Sequence, residues 1–206
     1  MKKDRNSEFK RLLTDLDTPF KIQEYLDSIP YNSTERTLSP LMVKRERMAH
    51  CMDGGMFAAA ALRNLGYPPL IVDLEADNDD DHIIAVFREG RCWGAIAKSN
   101  TTVLRFREPV YRSLRELAMS YFDLYYNLNS QKTLRSYSRV IDLSRFDDRN
   151  WETTEEDLEF IGDYTYRVKH YPLLSDQQAR RLNNVPKYLF DAGFAGADIK
   201  GLFKPV

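Results

Sequence analysis

The chain has 206 residues, 43% of them hydrophobic and 30% charged, enough for one domain with a core of its own. A net charge of −1 supplies no basic field for nucleic acid or an anionic membrane surface, and two cysteines, Cys51 and Cys92, are too few for a disulfide framework. No run of about 18 apolar residues occurs and none follows the charged residues 1–8, so neither a membrane span nor a signal peptide is expected, and the expected location is the cytoplasm with reduced thiols.

In chain order, residues 7–16 place Phe9, Leu12, Leu13 and Leu16 on one helical face, with Ser7 as the cap. Pro19 opens a second short helix carrying Ile22, Tyr25 and Leu26 on one side. Residues 30–39 read as loop, and Ser39-Pro40 starts a helix through Leu41, Val43 and Met48. Residues 52–65 read as a buried helix that Gly66 ends. Its four alanines, 58–61, keep it thin enough for a sheet to approach closely.

After Pro68-Pro69 come a strand at 70–74, an acidic loop at 75–81, a strand at 82–88, a turn at 89–91 and a strand at 92–97. The last two strands form an antiparallel hairpin. Pro109 precedes a predicted helix from Ser113 to about Leu128, with Leu117, Tyr121 and Tyr125 at helical spacing. Residues 136–143 read as a strand, 154–161 and 175–182 as capped helices, and 192–197 as glycine-punctuated turns. One domain over 1–206 is expected: a helical lead-in at 1–40, a core at 41–105, and a helical and β extension at 106–206.

Cys51 stands where a loop enters the buried helix, followed by Gly54-Gly55. Helix N-termini carry unpaired N–H groups and partial positive charge, so a thiol there is expected to ionise more easily and to serve as a nucleophile. The plainer reading is a small buried hydrophobe. His82 heads a strand beside Asp79-Asp80-Asp81 and is placed as a general base for Cys51, against the plainer reading of a solvated loop histidine. His170 has no partner visible in the sequence. The acidic residues of 75–81 lack the spacing of a calcium loop, and no pair of histidines or cysteines has zinc spacing. No metal and no cofactor are therefore expected, and 75–81 is read as a mobile, solvated rim.

Residues 45–100 resemble the transglutaminase-like superfamily of papain-like cysteine enzymes. The features that carry the resemblance are Cys51 opening a core helix that ends in Leu65-Gly66, the strand at 70–74, His82 at the head of the next strand, and Trp93 on the third. The resemblance implies an α+β fold with the cysteine-bearing helix packed on a small antiparallel sheet and further helices at its flanks. It implies Cys51 as nucleophile, His82 as base, and an Asp or Asn about four residues past the Trp to orient the histidine. That position is Ala97. Two nearby residues are candidates for the role: Asn100, through its amide oxygen, and Ser99, through strand alternation. The implied chemistry is acyl transfer, or amide or peptide hydrolysis, through a thioester on a peptide, protein or amide substrate. The alternative is a transglutaminase-like module that binds or scaffolds without catalysis.

Overall fold

Among the described residues of the computed structural model, four helices precede the first strand: α1 (Lys2–Asp15), α2 (Pro19–Ser28), α3 (Pro40–Glu46) and α4 (Cys51–Asn64). The structure describes residues 2–34 and 36–206, with side chains from Asn6 onward; Met1 and Glu35, the latter inside the predicted 30–39 loop, lie outside it. Phe9, Leu13 and Leu16 are buried as their spacing predicts, but α1 begins well before Ser7, which therefore is not its cap. Thr18 Oγ1 caps α2 by accepting from Lys21 N at 3.2 Å. Ser39 Oγ does the same for α3 from Met42 N at 3.3 Å. α3 stops at Arg47, which adopts φ 54° in the left-handed region.

Among the described residues seven antiparallel strands make one sheet: β1 (Leu70–Ala76), β2 (His82–Glu89), β3 (Cys92–Ile96), β4 (Arg107–Tyr111), β5 (Leu134–Ser138), β6 (Ile141–Asp142) and β7 (His170–Pro172). Their order is β4-β3-β2-β1-β5-β7, with β6 pairing the first residues of β1. β2 and β3 form the predicted hairpin, Glu89 opposite Cys92.

The sheet separates two apolar layers. On one face Ile71, Ile83, Ala85, Phe87 and Ile96 meet the alanines and Phe57 of α4. Contact there is close: a Cβ on Gly55 would stand 2.6 Å from Ile83 Cγ2. On the other face Val72, Leu74, Ile84, Val86 and Ala95 are covered by Leu117 of α5 (Leu114–Met119) and by Tyr121 and Tyr125. The protein is thus a mixed helix and antiparallel-sheet fold, α+β as expected.

Several predicted elements are corrected. The helix from Ser113 ends at Met119, and a 3₁₀ turn follows at Phe122–Leu124. Tyr121 and Tyr125 leave the helix to cover the sheet, their hydroxyls donating to Arg105 O at 2.8 Å and Asp80 O at 2.5 Å. The predicted strand 136–143 is divided between β5 and β6. Between them Arg139 N donates out to Lys169 O at 2.8 Å. The predicted helix at 154–161 begins later, as α6 (Glu159–Arg167), and the one at 175–182 is a single turn, α7 (Asp176–Ala179), capped by Ser175. A helix α8 (Lys187–Gly193) runs into the segment read as turns.

Candidate active site

The start of α4 is held by a histidine cap. His50 Nδ1 accepts from Met52 N at 3.1 Å and Asp53 N at 3.4 Å, while His50 N donates to Asp53 Oδ2 at 3.0 Å. Asp53 is fully buried and also accepts from Leu38 N at 2.7 Å and Asn32 Nδ2 at 3.0 Å. Cys51 is therefore the first helical residue, fixed by a reciprocal capping box. The sequence placed the thiol correctly but gave His50 no role. The N–H groups of Met52 and Asp53, expected to be open, are taken by the cap. The Cys51 amide instead meets the Tyr31 hydroxyl.

Cys51 and His82 line one cavity of about 70 Å³, together with Tyr125 and Leu104. The Cys51 thiol donates to Asp81 O at 3.7 Å, next to His82 in the chain. Among the described residues no hydrogen bond joins Cys51 Sγ to the His82 ring. Alternation along β2 puts His82 on the face of Ile84 and Val86, opposite the face α4 covers. The two side chains therefore meet only where the chain enters β2.

The ionisation of the pair also departs from expectation. Burial pushes the Cys51 thiol up to about 12, and the nearby Asp80, Asp53 and Asp73 charges act in the same direction. Desolvation outweighs the helix terminus. Burial likewise brings His82 down to about 4. At neutral pH the resting pair is thiol and neutral imidazole rather than thiolate and imidazolium.

His82 Nε2 lies 3.1 Å from Leu104 O. A carbonyl only accepts, so Nε2 carries the proton and Nδ1 holds the lone pair of the neutral ring. The expected partners do not bond the ring. Asn100 uses both amide atoms on the backbone of Asp198, accepting from its N–H and donating to its carbonyl at 2.8 Å each. Ser99 Oγ is engaged by Thr101, at 2.9 Å from its hydroxyl and 3.0 Å from its N–H. Both residues still line the Cys51–His82 cavity. The orienting group is a main-chain carbonyl, which no residue type announces.

His170, left without a partner by the sequence, bonds Asp73 Oδ2 through Nε2 at 3.1 Å and faces Val168 O through Nδ1 at 3.0 Å. Val168 O can only accept, so Nδ1 of His170 is the nitrogen that donates to it. Asp73 is 1% exposed and its Oδ1 has no hydrogen-bond partner. The acidic segment 75–81 is solvated as expected, with Glu75, Asp77 and Asp80 exposed, but it is also tied to the fold. Its first residues belong to β1, Asp81 Oδ1 accepts from Ala76 N at 2.8 Å, and Asp79 Oδ2 accepts from Thr133 Oγ1 at 2.7 Å. Burial raises Asp79 to about 6.

Residues 198–206 lie across the site. Besides the Asn100 clamp on Asp198, Asn78 holds Val206 through both amide atoms, at 2.8 Å and 3.2 Å. Gly201, Leu202 and Phe203 line the cavity shared by Cys51 and His82, and also a larger adjoining cleft that Cys51 borders. Cys51 and Cys92 are both free thiols. Among the described residues no helix is long and apolar enough to cross a membrane. No protein-family model matches the chain, and no curated protein sequence is significantly similar to it.

Proposed function

We propose that the protein is a cysteine-dependent acyltransferase or amide hydrolase of papain-like or transglutaminase-like type. The observation that carries this reading is the common cavity. It joins a thiol at the first residue of a capped helix to a histidine whose other nitrogen is anchored on a main-chain carbonyl. In the mechanism, Cys51 attacks the carbonyl carbon of an amide while His82 Nδ1 takes the thiol proton. His82 then returns that proton to the leaving amine, giving a thioester on Cys51 that water or a second amine resolves. The Tyr31 hydroxyl, which meets the Cys51 amide in the resting site, is the candidate donor to the forming oxyanion. The neutral resting pair fits a thiol that loses its proton only as it attacks.

The cleft around Cys51 is long enough to be bordered by four consecutive residues of this chain, 200–203, which follow a backbone clamp at Asp198 and a 3₁₀ turn at Ile199–Gly201. A peptide or protein substrate follows from that. The second reading, a non-catalytic module binding peptide in the same cleft, is favoured by the absence of a Cys51–His82 hydrogen bond and by Ala97 at the expected third position. Turnover separates the two. Amine release from a library of peptide amides should be abolished in Cys51→Ala and reduced at least about 100-fold in His82→Ala. Binding without release in the wild type would establish the module instead.

A further inference from the structure

The larger cleft beside Cys51, about 580 Å³, is acidic: Asp73, Asp80, Asp81, Glu159 and Asp163 line it with the thiol. Acidic residues alone make no site. Asp73 adds an independent observation, because it is 1% exposed, borders this cleft, and leaves Oδ1 without a hydrogen-bond partner. Buried carboxylate oxygens are nearly always bonded, so an orphaned one marks a missing donor. Among the described residues no group of three or more His, Cys, Asp and Glu is arranged to hold a metal ion. An ammonium or guanidinium group, which only donates, is a donor of the kind Oδ1 lacks.

We propose that the cleft between Cys51 and Asp73 is a subsite for the side-chain cation, ammonium or guanidinium, of a peptide substrate. This rests on the reading of Cys51 as the nucleophile and adds the class of residue presented to it. Three features agree. Tyr166 and Tyr31 border the cleft, and aromatic residues are favourable neighbours for a cation. Lys200 and His50 are basic residues that border the cleft, so the chain's own sequence presents a lysine to its edge. Burial, and then the neighbouring Asp81 charge, raise Asp73 to about 7 despite His170, a cost that a bound cation would offset.

The test is titration calorimetry on the full chain with three probes: N-acetyl-lysine methylamide, N-acetyl-arginine methylamide and N-acetyl-norleucine methylamide. The lysine and arginine probes should bind at least about tenfold more tightly than the norleucine probe, and should slow alkylation of Cys51. Asp73→Asn, with an unchanged melting profile, should bring the three probes close to parity. Should Asp73→Asn fail to fold, the exposed Asp163→Asn should reduce the preference severalfold. Cys51→Ser should keep the preference, so loss of turnover and loss of the subsite are separate results. Equal binding of all three probes by the wild type would overturn the proposal. So would a preference that survives whichever of the two aspartate variants folds, or calcium binding that displaces the basic probes.

Discussion

His82 is the residue on which the site turns, and its environment makes a measurable claim. Its ordinary value of 6.5 falls to about 4 in the fold, chiefly through burial. Between those values the unfolded chain binds the proton and the folded chain does not. Stability is therefore lost as pH falls from 6.5 toward 4, by about 3 kcal/mol from this group. Urea midpoints at pH 7 and pH 4.5 should show a larger acid loss in the wild type than in His82→Gln, and equal losses would contradict the burial argument. Nitrogen NMR at neutral pH should find the His82 tautomer protonated at Nε2. Cys51 carries the matching expectation. With its thiol at about 12, alkylation should climb through pH 9–10 with no inflection near neutrality. Cys51 and His82 were legible because a thiol at a loop-to-helix junction and a histidine heading a strand are patterns of residue type. The Leu104 carbonyl was not, since every residue carries one. The misjudged thiol ionisation has the same root: the helix start is readable from sequence, but the depth of burial that overrides it is not.

At the scale of elements, the close seat of α4 on β2 depends on Gly55. Helix propensity alone would make Gly55→Ala stabilising by about 0.5–1 kcal/mol. Contact with Ile83 reverses the sign, and a loss of about 1–3 kcal/mol is expected from chemical denaturation. A stabilised variant would mean that the two elements are farther apart. The thin alanine helix and the β2–β3 hairpin were readable from their patterns. β4 and β7 were not, because Pro109 and Pro172 argue against strands; both strands lie at the ends of the sheet order, where a missing N–H is tolerated. The predicted helix at 113–128 failed because spacing alone does not say whether Tyr121 and Tyr125 pack from a helix or from a chain crossing the sheet. The segment 198–206 gives a further prediction. Asn100→Ala removes both bonds to Asp198, so amide exchange at Lys200, Gly201 and Leu202 should quicken while exchange in β2 stays unchanged.

At the scale of the molecule, the site lies where the two layers meet at one end of the sheet. Cys51 arrives from the α4 face, and His82 belongs to the opposite one. Asp73 and Leu104 of the 41–105 core add to the site's walls, and the flanks supply further ones through Tyr125 and residues 200–203. That is why the core at 41–105 was readable and the flanks were not: the flanks supply walls rather than chemistry, and walls are made by tertiary contact. The account's central claim is that this junction performs covalent chemistry. It is tested most directly by trapping the acyl-enzyme with p-nitrophenyl acetate, acid quench and peptide mass mapping. The account predicts a hydroxylamine-sensitive acetyl group on Cys51 in the wild type, absent in Cys51→Ala and formed at least about 100-fold more slowly in His82→Ala. A wild-type Cys51 that remains unacetylated, or one acetylated as fast without His82, would contradict it.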